Sequence, residues 1–343
     1  MSNVSSQAPS RVSVLGSGAW GTTLAQVLAD AGQEVLIWGR NSSVVDEINN
    51  DHTNHTFLPG AQLPSSIKAT TDVEEAFDFG SALVLAIPAQ SLRENLRNWK
   101  DKFPAKKPII STLKGIEAQS LSRMTEIVVE ELGTPIENIG LITGPNLAAE
   151  MILRQPAGAV AASVNADIST LMIELFTTPY FRVYPSNDLV GCELAGATKS
   201  VIALAVGMAV GLELGENTQS MIITRGLGEV ARFGQAYGAD PLTNLGLAGM
   251  GDLVASCGSG LSRNRTFGEF LGRTGSLEKT RTQVAKTVEG VASAPAILEL
   301  AHRVGVEVPI IEAVADTVSG KITPRQALDR LMTVPLEEEI DVE

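Results

Sequence analysis

The sequence predicts an N-terminal α/β domain, residues 1–188, built on a mostly parallel sheet, followed by an all-α domain, residues 189–343. Three observations carry that expectation. A chain of 343 residues exceeds what one hydrophobic core ordinarily organises. Through the first half, short apolar runs alternate with helical periodicity, as in strands joined by crossover helices and covered on both faces. Beyond about Asp188 the strand signals stop, and an Ala-, Gly- and Leu-rich helical texture takes over.

The elements follow in order. Val12 to Leu15 is a short strand that breaks into Gly16-Ser17-Gly18-Ala19-Trp20-Gly21. A helical pattern with Leu24, Val27 and Leu28 on one face runs to Gly32, and Val35 to Trp38 is the next strand. Strand, glycine turn, helix and strand make one βαβ unit. Later strands are expected at Leu83 to Ile87, Ile109 to Thr112, Leu141 to Thr143, Ala157 to Ser163 and Phe181 to Tyr184. Leu189 to Gly238, Ala294 to Val304 and Thr323 to Leu331 read as helical, with Thr323 as N-cap and Pro324 at the first helical position. Residues 1–10 read as a disordered lead and 336–343 as a solvated acidic tail.

Composition excludes several classes. Lys and Arg number 26 against 39 Asp and Glu, a net charge of -13, and such a surface repels nucleic-acid phosphates and anionic membranes. A small anionic substrate then requires a locally basic pocket. The two cysteines, Cys192 and Cys257, lie far apart, which fits a reducing compartment such as the cytoplasm and not a disulfide framework. Residues 1–10 have neither a basic nor an apolar segment of the secretory kind, and the longest apolar run, Val201 to Leu212, is too short to span a bilayer. No cluster has metal-ligand spacing. His52, His55 and His302 sit in a polar loop and an amphipathic helix, where surface roles are expected.

The glycine turn is the sharpest local signal because of its place between a strand and a helix. Gly16 permits the tight turn, Gly18 lets the backbone approach a pyrophosphate, and Gly21 permits close helix–strand packing. The helix start then offers free N–H groups and a positive dipole end to phosphates. This is the pattern of a Rossmann unit that binds a dinucleotide. The second strand ends Trp38-Gly39-Arg40-Asn41, without the carboxylate that usually holds the ribose hydroxyls in an NAD site. Arg40 suits a 2′-phosphate, so NADP(H) is favoured, with NAD(H) also accommodated. Ile87-Pro88 closes the third strand candidate beside the expected nicotinamide path.

Eight motifs in order along nearly the whole chain change the specificity of this reading. They are Gly16-Ser17-Gly18-Ala19-Trp20-Gly21-Thr22, Asn54-His55-Thr56-Phe57-Leu58-Pro59, Leu113-Lys114-Gly115-Ile116-Glu117 and Thr143-Gly144-Pro145-Asn146. In the second half come Glu193-Leu194-Ala195-Gly196-Ala197-Thr198-Lys199, Ala248-Gly249-Met250-Gly251-Asp252-Leu253, Ser262-Arg263-Asn264-Arg265 and Val288-Glu289-Gly290. With these motifs the chain resembles the bacterial NAD(P)-dependent sn-glycerol-3-phosphate dehydrogenases. The resemblance implies interconversion of dihydroxyacetone phosphate and glycerol 3-phosphate for phospholipid synthesis, in a cytoplasmic homodimer. It implies Lys199 as the catalytic proton acceptor. It implies Lys114, Gly144, Asn146, Lys199, Asp252, Ser262, Arg263 and Asn264 around the substrate. It implies Gly16, Gly18, Ala19, Trp20, Gly21, Arg40, Lys114, Ala148, Arg263, Thr287 and Glu289 around the cofactor. Three positions depart from the family pattern: Ala19 for Ser, Asn146 for Ser or Thr, and Ser200 for Asn after the lysine. None removes a charge that the chemistry needs.

The residues support that chemistry on their own terms. Reducing a ketone needs a hydride donor, a group that polarises the carbonyl and a proton source. Lys199 lies on a helical face with Ala195, Gly196, Ile202 and Ala203, so it either snorkels or functions, and desolvation lowers a lysine's pKa toward neutrality. Ser262-Arg263-Asn264-Arg265 offers a capping serine, fixed positive charge and amide donors in one turn, suited to a phosphate. Asp252 could orient Lys199, accept a substrate hydroxyl or simply cap a helix. Two other classes stay open at this level: a 6-phosphogluconate- or 3-hydroxyacid-type dehydrogenase, and a sensor that binds NADPH without turnover.

Overall fold

The computed structural model describes residues 10–104, 106–284 and 288–333, so the acidic tail and all of the lead except Ser10 lie outside the described residues. Eight strands form one sheet: β1 Arg11–Leu15, β2 Glu34–Trp38, β3 Lys68–Thr70, β4 Ala82–Leu85, β5 Ile109–Ser111, β6 Ile139–Thr143, β7 Ala157–Ala162 and β8 Phe181–Ser186. Their spatial order is β3-β2-β1-β4-β5-β6-β7-β8. Every neighbouring pair is parallel except β6 and β7. The first six strands follow the doubly wound order, whose switch point lies between β1 and β4. In sheets of this order the ligand position is at the carboxyl ends of those two strands.

The alternation of side chains along β1 divides the core. Val12 and Val14 pack with Leu24, Val27 and Leu28 of the Ala19–Asp30 helix, while Leu15 joins Leu83, Leu85, Phe77 and Trp99 on the other face. Trp99 meets Trp38 edge-on at 5.1 Å between ring centroids. The buried Ser13 hydroxyl donates to the Ala76 carbonyl at 2.6 Å, so its polarity is satisfied. Strand β3 was not among the expected strands. At three residues, Lys68-Ala69-Thr70, it is too short to show a period.

After β8 every described element is a helix. The Leu189–Gly211 helix is nearly all buried at the centre of the second core. It is long and apolar enough to cross a membrane by length and composition, but 83% of that window is buried inside the protein. Uniform apolarity without a polar face is what a core helix requires. Glycines bring it against the Arg263–Thr274 helix. A Cβ at Gly207 would lie 2.1 Å from the Arg265 carbonyl oxygen, and one at Gly268 would lie 2.2 Å from that of Leu204. This backbone-to-backbone approach fixes the Ser262 turn relative to Lys199. Both cysteines are buried and unpaired, and burial pushes each thiol up to about 12. They are inert packing groups.

Candidate active site

The glycine turn occupies the switch point. Gly16 has φ +137, and a Cβ there would sit 2.4 Å from the Ala86 carbonyl oxygen; one at Gly21 would sit 2.0 Å from the Gly16 carbonyl oxygen. Only glycine permits these approaches. A Cβ at Gly18, in contrast, would meet nothing within 4 Å, so the turn is open on that side. Gly18 is the N-cap of the Ala19–Asp30 helix and makes no side-chain cap, which leaves the first N–H groups at Ala19 and Trp20 available to an anion. A dinucleotide pyrophosphate fits this cradle. Asn54, quoted above only as part of a motif, braces it: its buried side chain donates to the Ser17 carbonyl at 2.9 Å and to Thr22 Oγ1 at 2.8 Å. Arg40 is exposed at the end of β2. Ala148 opens the short helix after β6, where its carbonyl accepts from Thr23 Oγ1 at 3.4 Å. Thr287 lies outside the described residues.

Further along the same sheet edge, three charged side chains converge. Lys199 Nζ donates to Asp252 Oδ1 at 2.6 Å and to Ser256 Oγ at 2.7 Å. Lys114 Nζ donates to Asp252 Oδ2 at 2.5 Å and to the Gly144 carbonyl at 3.1 Å. One buried carboxylate thus joins two largely buried lysine side chains, each oxygen taking one ammonium group. Lys114 has its pKa lowered to about 8: burial is the main cause, the Asp252 charge opposes it, and the Lys199 charge lowers it further. The lysine carried here has no Cβ wall against its stem, because Gly196 lies beside it: a Cβ at Gly196 would fall 3.6 Å from Lys114 Cγ and 3.5 Å from Thr143 Oγ1.

Asp252 is not an N-cap. Gly251 holds that place, and Asp252 is the first residue of the Asp252–Gly258 helix, entered through a π-turn at Leu247–Gly251. Helical spacing of four then sets Ser256 beside it, a residue the sequence reading did not single out.

The remaining predicted residues hold contacts of their own. Ser262 caps the Arg263–Thr274 helix, accepting from the Arg265 N–H. Arg263 is exposed at its first position, and Asn264 Oδ1 accepts from the Gly290 N–H at 3.0 Å, which ties this turn to the Glu289–Arg303 helix. Glu289 Oε1 accepts from the Ala89 N–H at 3.2 Å, after β4, while its Oε2 is buried without a hydrogen-bond partner. Burial raises the Glu289 pKa, opposed by the Ala89 N–H and the Arg263 charge. Asn146 donates to the Gly158 carbonyl at 3.0 Å, and its buried Oδ1 is likewise unpartnered. Buried acceptors left without a partner are groups that a bound ligand's donors can satisfy.

Comparison with known proteins identifies the family. Residues 11–169 match the family described as NAD-dependent glycerol-3-phosphate dehydrogenase N-terminus, and residues 188–329 match its C-terminus. The chain belongs to the NAD-dependent glycerol-3-phosphate dehydrogenase family. A relative from Streptomyces griseus subsp. griseus, named glycerol-3-phosphate dehydrogenase [NAD(P)+], is 46% identical over 325 residues, 95% of this chain and 97% of the relative. One of the same name from Corynebacterium jeikeium is 48% identical over 308 residues, 89% of this chain and 92% of its own. The crystal structure of glycerol-3-phosphate dehydrogenase from Coxiella burnetii superposes with a TM-score of 0.89 at 33% identity, covering 95% of this chain and 99% of that one. Within this glycerol-3-phosphate dehydrogenase family, both NAD(H) and NADP(H) are compatible cofactors.

Proposed function

We infer that the protein catalyses the reversible NAD(P)H-dependent reduction of dihydroxyacetone phosphate to sn-glycerol 3-phosphate. The observation that carries this reading is the ammonium–carboxylate–ammonium arrangement of Lys199, Asp252 and Lys114 beside an open glycine turn. In this reading residues up to Asp188 bind the cofactor and those from Leu189 onward carry the substrate chemistry. The pyrophosphate rests on Gly16, Gly18, Ala19, Trp20 and Gly21. Ala148 and the free oxygen of Glu289 face the rest of the cofactor. When bound, the reduced nicotinamide supplies the hydride that C2 of the substrate receives.

The chain's own groups supply the rest. Arg263, with Ser262 and Asn264 at the start of a 12-residue helix, holds the substrate phosphate by fixed charge and helix-terminal N–H groups. Gly144 and Asn146 border the triose, and the free Asn146 Oδ1 accepts from a substrate hydroxyl. Lys199 polarises the carbonyl and delivers a proton to the oxygen on C2; in the oxidative direction it removes that proton. Asp252 keeps Lys199 Nζ in place and balances its charge, and Lys114 adds a second cation toward the anionic substrate. A protein of net charge -13 thus presents its cations where a phosphate must sit.

The test is the loss of reduced-nicotinamide absorbance with dihydroxyacetone phosphate, run separately with NADPH and NADH. Oxidation supports the reading. Binding of a cofactor without oxidation would turn attention to other hydroxyacid dehydrogenases and then to a sensor. We also propose NADPH as the preferred cofactor, because the exposed Arg40 guanidinium ends β2 where a 2′-phosphate would lie. Arg40→Ala is expected to weaken NADPH by about tenfold to a hundredfold, the range of a hydrogen bond to a charged group, and to leave NADH nearly unchanged. Equal losses for both, measured by titration of cofactor fluorescence, would remove the 2′-phosphate role.

Lys114 gives a pH prediction. Its ammonium is the cationic form and its pKa lies near 8, so it loses charge as pH rises through that value. kcat/KM for the phosphorylated substrate is expected to fall correspondingly above about pH 8, as the attraction for the dianion is lost. Lys114→Arg, which cannot deprotonate, should keep kcat/KM level through this range. A limb near pH 8 that survives in Lys114→Arg would assign it to another group. Exposed Leu242, Leu245, Val254 and Leu261 on the helical part support a homodimer, and the two buried thiols fit a reducing cytoplasm.

A further inference from the structure

We propose that Asp188 is a positioning residue that fixes the distance between Lys199 and Asp252, through a clasp between the helix that carries the lysine and the loop that delivers the aspartate. This rests on the roles given to Lys199 and Asp252 above. Its two carboxylate oxygens serve different segments. Oδ1 accepts from the Gly191 N–H at 2.8 Å and so caps the Leu189–Gly211 helix, on which Lys199 lies. Oδ2 accepts from the Asp240 N–H at 3.0 Å and from Thr243 Oγ1 at 2.6 Å.

The second segment leads directly to Asp252. Asp240 caps a short 3-10 helix, Pro241–Leu245, by accepting from the Leu242 N–H at 2.9 Å. The π-turn Leu247–Gly251 is stacked on that helix so closely that a Cβ at Gly249 would lie 2.3 Å from the Asn244 carbonyl oxygen. Asp252 is the next residue. On the other arm, Lys199 stands along a rigid helix about 16 Å from the capped end, at the usual rise per residue. Gly191 is itself required by the clasp, since a Cβ there would fall 2.1 Å from Asp188 Oδ2. Neither arm contains a loop free to absorb a change at Asp188. A shift there is transmitted to the lysine–carboxylate pair, whose hydrogen bond of 2.6 Å tolerates little displacement.

The carboxylate's division of labour makes the test clean. Asp188→Asn keeps an oxygen for the helix cap, at which Asn and Asp are equivalent, and turns an NH2 group toward the Asp240 N–H and the Thr243 hydroxyl. Thr243→Val removes one bond from the same arm, and Thr243→Ser restores it. The full-length variants are assayed with saturating cofactor and dihydroxyacetone phosphate. The pH dependence of Lys199 acetylation by acetic anhydride is read in parallel by peptide mass spectrometry. Asp188→Asn is expected to lower kcat by about tenfold to a hundredfold, with KM for cofactor unchanged. Lys199 labelling should move to lower pH, because the ammonium is less well held by its carboxylate. Thr243→Val should move both in the same direction and Thr243→Ser should return them to wild type. A labelling curve that stays in place in Asp188→Asn and Thr243→Val overturns the clasp, whatever the melting temperature does. Wild-type protein inactive on dihydroxyacetone phosphate would sink the functional reading alone, since the labelling curve still reports on the clasp.

Discussion

Lys199→Ala is expected to lower kcat by about 10²- to 10⁴-fold, the usual contribution of a positioned acid–base group, while affinity for NADPH and NADH is nearly intact. The reason lies in which contacts the lysine makes. Its Nζ bonds to Asp252 and Ser256, both in the helical half, and not to the glycine turn that receives the pyrophosphate. Truncation also leaves no orphaned charge, because Asp252 Oδ2 retains Lys114 as a partner. The variant should therefore fold and bind cofactor, and the loss should fall on turnover. Lys114 remains on the same carboxylate and can polarise a nearby oxygen, so activity should not vanish. The measurement is steady-state kcat with dihydroxyacetone phosphate beside a fluorescence titration of cofactor. Normal turnover would rule out proton transfer by Lys199, and loss of cofactor binding in proportion to kcat would point to a collapsed fold.

How much of this was legible in the sequence depends on the range over which each residue acts. The glycine turn was readable because its chemistry is local: a strand, three glycines at fixed spacing and a helix suffice, and the open face at Gly18 is that pattern realised. The change at Asp188 was readable for the same reason, since strands end at Ser186 and a capped helix starts at Leu189. The capping role of Ser262 follows from its place before an amphipathic helix. The link between Lys114, Lys199 and Asp252 was not readable from spacing, because they lie on three segments 85 and 53 positions apart. Family resemblance named those residues; only the fold brings them onto one carboxylate. Asn54 and Ser256 escaped for different reasons. Asn54 acts on a turn 37 positions away, whereas Ser256 was within reach, one helical turn after Asp252, once the helix there was recognised. Strand β3 was missed because a three-residue edge strand is held by pairing to β2 and has no pattern of its own.

Asp252→Asn is expected to cost kcat/KM about 10²- to 10³-fold, in line with deleting one member of a buried charge pair. It should do so with a pH signature opposite in kind to that of Lys199→Ala. The asparagine keeps the shape of the carboxylate but replaces its charge with a dipole, and one of its two ends becomes a donor facing an ammonium group. Two lysines then share a site with no anion between them. Like charges this close cannot both stay protonated, so the pair releases a proton at lower pH than in the wild type, and the apparent value belongs to the pair. Lys114, whose pKa already lies near 8 with Asp252 in place, should fall further. At neutral pH the variant then lacks both its proton donor and part of its attraction for the substrate phosphate. Acidification should restore protons to the pair, so reduction by Asp252→Asn should recover as pH is lowered below neutrality, while Lys199→Ala, which has no amine to protonate, should not. A pH–rate profile of kcat/KM for the two variants decides the point. A profile for Asp252→Asn parallel to wild type and merely lower would mean that Asp252 acts by orientation or direct substrate contact, and that its charge is not what keeps Lys199 competent.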